Sequence, residues 1–137
     1  MEEIYLNKQY IVNFLSKNDL SDIAEIQYKK GTIALKFKYY YDDVEMEAAT
    51  SYANEEGNLK DKKEEWYEEF FLPYLSDISA DNVEDIMEEC AENMKIEYEF
   101  IGCDISEDDY KFNEFAVVFY GKESNINTDD ILLELDF

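Results

Sequence analysis

The sequence predicts an α+β domain: an antiparallel sheet of about five strands with helices packed on one face. Three observations predict it. Period-two alternation runs through residues 32–41, apolar residues recur at helical spacing in three other stretches, and the breaks between these stretches are short turn clusters. Strands and helices come in runs, not in strict β-α alternation, which is the pattern of a sheet with helices segregated to one side. The 137 residues suit one domain, 1–137, large enough to bury roughly two thirds of its extended surface.

The elements follow in order. Ile4, Tyr10, Ile11, Phe14 and Leu15 share one helical face until Asn18 and Asp19 break the pattern, so a helix is expected over Glu2–Lys17. Ile23–Tyr28 and Thr32–Tyr41 read as strands joined by a turn at Lys30-Gly31; in the second, Ile33, Leu35, Phe37, Tyr39 and Tyr41 alternate with Ala34, Lys36, Lys38 and Tyr40. Asp42-Asp43 suggests a tight turn into a third strand, Val44–Tyr52, where Val44, Met46 and Ala48 oppose Glu45 and Glu47.

After the turn cluster at 54–58, Trp66, Tyr67, Phe70 and Phe71 define the apolar side of a helix over Leu59–Leu72, which Pro73 should end or kink. Asp81 with Glu84 resembles a capping box opening a further helix to Lys95, with Val83, Ile86, Met87, Cys90, Ala91 and Met94 on its inner face. Ile96–Ile101 and Tyr110–Tyr120 predict a second hairpin around an acidic loop, Gly102–Asp109. Asp129–Phe137 reads both ways: Ile131, Leu133, Leu135 and Phe137 alternate like a strand, but Thr128 and two aspartates favour a helix start. The predicted order is α-β-β-β-α-α-β-β-α.

Charge is the second message. The chain holds 35 acids against 12 bases, a net charge of -23, and every base is lysine. Residues 1–41 are near neutral, so the excess lies in residues 42–137. Such self-repulsion works against compaction. Low hydrophobicity and few aromatics mark acidic disordered chains, whereas here 46% of residues are hydrophobic and 16% aromatic. The chain is expected to fold.

The same composition removes most catalytic chemistry. With no histidine there is no Ser-His-Asp or Cys-His arrangement, no histidine metal site and no ordinary base poised near neutral pH. With no arginine there is no bidentate clamp for phosphate. The four glycines stand apart, so no phosphate-cradling loop occurs. A carboxylate-only enzyme is the residual catalytic option, and the expectation is a protein that is not an enzyme and uses no cofactor. EF-hand spacing is missing, and Asp104–Asp109 reads as a solvated loop, so no metal is expected. Cys90 and Cys103 are too few for a disulfide framework and read as ordinary small residues. Neither a signal-type N-terminus nor a membrane-length apolar run is visible, which predicts a cytoplasmic protein without a membrane partner.

The positive signal is two acidic helix faces and a loop. Glu64, Glu65, Glu68 and Glu69, and then Glu84, Asp85, Glu88, Glu89 and Glu92, project opposite the apolar stripes. From 84 to 92 the charge density is about one per 2.4 to 3 Å along the axis, near the one per 1.7 Å of duplex DNA. Like charges at i, i+4 cost stability that a lysine would relieve, but none occurs between Lys63 and Lys95. A charged outer face keeps any helix in solution; two such faces plus the loop acids Glu107, Asp108 and Asp109 point beyond solubility to a basic protein partner. Nucleic acid itself would be repelled. Twelve tyrosines add amphipathic contact area of the kind found at interfaces.

In charge, size and aromatic content the chain resembles the small DNA-mimic anti-restriction and anti-CRISPR inhibitors that phages and plasmids use against host defence. The resemblance rests on no motif. It implies an inhibitor whose carboxylates stand in for phosphates against a CRISPR nuclease or restriction enzyme. The alternative is an immunity protein that neutralises a cognate toxin, such as a basic nuclease, by the same electrostatics.

Overall fold

The computed structural model describes residues 7–29, 31–57, 63–105 and 107–122. The class is α+β, with a four-stranded antiparallel sheet and three main helices. Helix α1 spans Lys8–Lys17, strand β1 Leu20–Ile26 and strand β2 Thr32–Tyr40. Helix α2 spans Asp43–Gly57; the single turn α3, Lys63–Glu65, runs into a π-helical segment, Trp66–Phe71, and on into helix α4, Leu72–Met94. Strands β3, Ile96–Gly102, and β4, Phe112–Gly121, complete the described chain.

The sheet order is β1-β2-β4-β3, with every neighbouring pair antiparallel. β2 and β4 form the centre in unbroken register from Thr32↔Tyr120 to Tyr40↔Phe112. This pairing puts Ile33, Leu35 and Phe37 beside Phe119, Val117 and Phe115 on one face, where α1 and α4 deliver Ile11, Leu15, Val83, Met87, Cys90 and Ala91. Most of these side chains are fully shielded, and each such burial contributes about 1.5–3 kcal/mol. A second cluster on the opposite face is built from Ala34, Ala116, Val118 and Tyr120. A third seats Ala49 and Ala53 of α2 against Phe71 and Leu75.

One expected strand is a helix. The expected Val44–Tyr52 strand lies inside α2, so the sheet has four strands and not five, and the observed order drops one β from the prediction. The apolar/polar alternation at 44–48 misled because the buried stripe of α2 is small: Ala49, Ala53 and Gly57 at i, i+4, i+8. A capping box starts the helix. Asp42 Oδ1 accepts the Glu45 N–H at 2.7 Å, and Glu45 Oε1 accepts the Asp42 N–H at 3.0 Å. Val44, expected to face inward, is 72% exposed.

Pro73 does not end a helix either. It sits in the first turn of α4, where a missing N–H costs little. Immediately before it the helix widens into the π segment, and the Leu72 N–H reaches the carbonyl of Tyr67, five residues back. The widening falls where the proline ring would otherwise crowd the Glu69 carbonyl. The expected helix over 82–95 is therefore the second half of a longer one, and Asp81 lies mid-helix as an exposed acid, not a cap.

The remaining boundaries shift little. α1 begins at Lys8, where Asn7 caps it by accepting the Tyr10 N–H at 3.0 Å; the expected start at Glu2 lies outside the described residues. The segment 129–137 also lies outside them. Among the described residues no helix is long and apolar enough to cross a membrane.

Candidate partner-binding surface

α4 is the platform. Its 23 residues span about 34 Å at 1.5 Å per residue. Leu75, Ser79, Val83, Met87, Cys90 and Ala91 are buried, so the opposite side is left to solvent. That side carries Asp77, Asp81, Glu84, Asp85, Glu88, Glu89 and Glu92, all exposed. Seven carboxylates over about 22 Å give one per roughly 3 Å, close to the 3.4 Å phosphate spacing of a single DNA strand.

The five predicted acids of α4 do not form one stripe. Glu84, Glu88 and Glu92 lie towards β3, around a cleft of about 350 Å³ shared with Glu97, Tyr98 and Lys122. Asp85 and Glu89 face the opposite flank and join Asp19, Asp42 and Glu45 around a cleft of about 530 Å³. A helix rotates 100° per residue, so neighbours such as Glu84 and Asp85 diverge onto different flanks.

The helix and loop acids do meet at one place. Glu68 of the π segment and Glu107 of the β3–β4 connection line the same groove, about 550 Å³, together with Asp77 and Asp104. Leu72, Pro73 and Ile105 supply its apolar lining. A lysine or arginine side chain suits such a groove, because its aliphatic stem packs on apolar surface while its head meets carboxylates. Glu64 and Glu69 are exposed and Glu65 is half-buried; these three, with the exposed Asp108 and Asp109, line none of the three clefts. Asp77, Asp104, Asp19, Asp42 and Glu45 were not among the expected site residues. Asp104 carried a signal, since it lies within the acidic loop Gly102–Asp109; Asp77 fell between the two acidic helix faces, in the stretch without lysine, and Glu45 was hidden by the strand assignment.

The second cleft contains a polar cluster. The Tyr39 hydroxyl donates to Glu45 Oε2 at 2.5 Å and accepts from Asn82 Nδ2 at 2.6 Å, so three elements meet at one phenol. Burial, and then the hydrogen bond to Glu45, raise the Tyr39 phenol above its usual value. Burial likewise raises Tyr98, with Glu84 beside it adding to the effect. Both phenols stay neutral donors at physiological pH.

Two ion pairs form away from α4. Lys36 and Lys38 stand on the sheet face away from the helices, and Lys38 pairs with Asp22 at 3.7 Å and lies 4.5 Å over the Phe112 ring. Lys8 pairs with Glu25 at 3.4 Å. Neither ion pair draws on an α4 carboxylate. Among the described residues, no group of three or more Cys, Asp or Glu side chains is placed to hold a metal ion. Burial pushes the Cys90 thiol up to about 11, with Glu89 adding to it, and Cys103 is raised by burial and then by Glu114 and Asp104. Both thiols are protonated and poorly nucleophilic near neutrality.

Compared with known proteins, the chain matches no family, no curated protein and no solved structure.

Proposed function

We propose that this protein is a stoichiometric inhibitor that binds a basic nucleic-acid-processing protein, its carboxylates standing where phosphates would. The reading rests on α4: a rigid helix, anchored by six buried residues, that presents seven exposed acids at near-phosphate spacing with no base among them. A helix anchored in the core holds these charges in place, so binding costs less ordering than a flexible acidic tail would. The groove at Glu68, Asp77, Asp104 and Glu107 then supplies a seat for one lysine or arginine of the partner. A CRISPR nuclease or a restriction enzyme is the target class.

The test is inhibition of a panel of such enzymes on duplex DNA, titrated with the protein at about 50 and 500 mM salt. Screening shrinks the reach of surface charge from about 14 Å to about 4 Å over that range. Stoichiometric inhibition at low salt that fades at high salt is expected. Activity untouched throughout the panel, or inhibition indifferent to salt, would overturn the reading.

A further inference from the structure

Among the described residues the sheet ends on β1 and on β3, and these two end strands are built differently. β1 is interrupted: its pairing with β2 shifts between Ser21 and Ala24, and Asp22 takes a left-handed φ of 52° there. A bulge of this kind is a common way to keep an edge from pairing with a foreign strand. β3 has no such device. Its seven residues pair with β4 in continuous register from Ile96↔Gly121 to Gly102↔Phe115, with no bulge, proline or lysine.

The direction of its free groups follows from one bond. The Cys103 N–H donates to the Glu114 carbonyl at 2.8 Å, directly after the Gly102↔Phe115 pair. Antiparallel strands alternate, so Ile101, Glu99 and Glu97 bond β4 like Cys103. Ile96, Tyr98, Phe100 and Gly102 turn their backbone groups outward, away from β4. Acids flank this edge on both sides. Glu84, Glu88 and Glu92 stand beside Ile96 and Tyr98 on the helix side, where Lys122 lines the same cleft, and strand alternation turns Glu97 towards the other face, with its partner Tyr120.

We propose that β3 is a docking edge that takes an extended, lysine- or arginine-bearing segment of the partner as an added strand. Backbone bonds to Tyr98 and Phe100 would supply affinity, and the acids on both sides would select a basic segment over a neutral or acidic one. This rests on the basic-partner reading above and names how the partner is held.

The experiment uses the full chain with two synthetic octapeptides of alternating lysine and valine, one unmodified and one N-methylated at every peptide nitrogen so that neither of its edges can donate. Binding is followed by fluorescence anisotropy at low salt, with amide exchange of the chain read in parallel. The unmodified peptide should bind about tenfold or more tightly than the methylated one, and should slow exchange at Tyr98 and Phe100. Equal binding of both would overturn the docking edge and leave the basic-partner reading standing. Failure of both peptides to bind would count against both. Exchange at Tyr98 and Phe100 already as slow as at Glu97 in the free chain would show that the edge is occupied, and would also overturn the proposal.

Discussion

The side-chain amide of Asn113, at the start of β4, donates to Ser79 Oγ in the middle of α4 across 3.2 Å, and both residues are buried. The Tyr41 hydroxyl approaches the same oxygen at 2.9 Å and the Leu75 carbonyl at 2.9 Å, while Ser79 donates to the Ser76 carbonyl at 3.0 Å. This small polar knot fixes α4, and so its outer acids, against the sheet. Replacing Ser79 by alanine removes the acceptor and leaves a buried amide unpaired, which costs about 1–3 kcal/mol. Urea denaturation of Ser79→Ala should show that loss with an unchanged slope. A change below about 0.5 kcal/mol would mean that the knot adds no net stability.

Tyr41 also sets a pH limit. Burial, the leading cause, pushes its phenol up to about 12 from 10.0. The folded state therefore holds the proton more tightly than the unfolded chain does. The associated stability is complete below about pH 10 and is lost as pH rises towards 12. Cys90 acts in the same direction between 9.0 and about 11. Denaturation midpoints measured at pH 8, 10 and 11 should fall in that order, and Tyr41→Phe should flatten the upper part of the fall.

Gly102 is held to glycine by its neighbour. A Cβ there would lie 2.9 Å from Cε2 and 3.2 Å from Cδ2 of the Phe115 ring, which is itself 1% exposed and packed in the core. The ring has little room to yield in an interior packed at crystal-like density. Gly102→Ala should destabilise by about 1–3 kcal/mol through overpacking. A loss confined to a few tenths, measured by thermal or urea unfolding, would show that the ring moves aside freely.

These sites differ in how far the sequence revealed them. β2 was legible because Ile33, Leu35 and Phe37 alternate with small or polar residues, whereas β4 was legible as an apolar, β-prone run that is buried on both faces from Phe115 to Tyr120. α2 was not, because its stripe of Ala49, Ala53 and Gly57 carries little hydrophobic signal beside the conspicuous Val44 and Met46. The Asp42/Glu45 pair was the available clue, spaced like the Asp81/Glu84 pair that marked a start where none exists. A capping box is a local pattern, and the chain before it decides its meaning: Asp42 follows a strand, whereas Asp81 follows two helical turns. The acids of α4 were legible as a face. Their division into flanks, and the meeting of Glu68 with Glu107, required the packing of α4 against β3 and the β3–β4 connection.

The last prediction separates the scaffold from the surface it carries. Glu88 lies between Glu84 and Glu92 at i, i+4 spacing on an exposed face, so it takes part in two like-charge pairs. Glu88→Lys removes two repulsions and adds two attractions, each of the four changes worth about 0.2–0.5 kcal/mol, and should raise stability by roughly 0.8–2 kcal/mol. Because exposed charges are screened, the gain should shrink at high salt. The same substitution, and more so Glu84→Lys with Glu88→Lys and Glu92→Lys, should weaken binding to a basic partner while circular dichroism and the unfolding slope stay as in the parent. A parent less stable than Glu88→Lys, yet a tighter binder, would mean that these carboxylates are kept at a cost to the fold because the interface requires them. Stability and binding falling together would instead make Glu88 part of the scaffold, and the functional surface would then have to be sought at the Glu68–Glu107 groove.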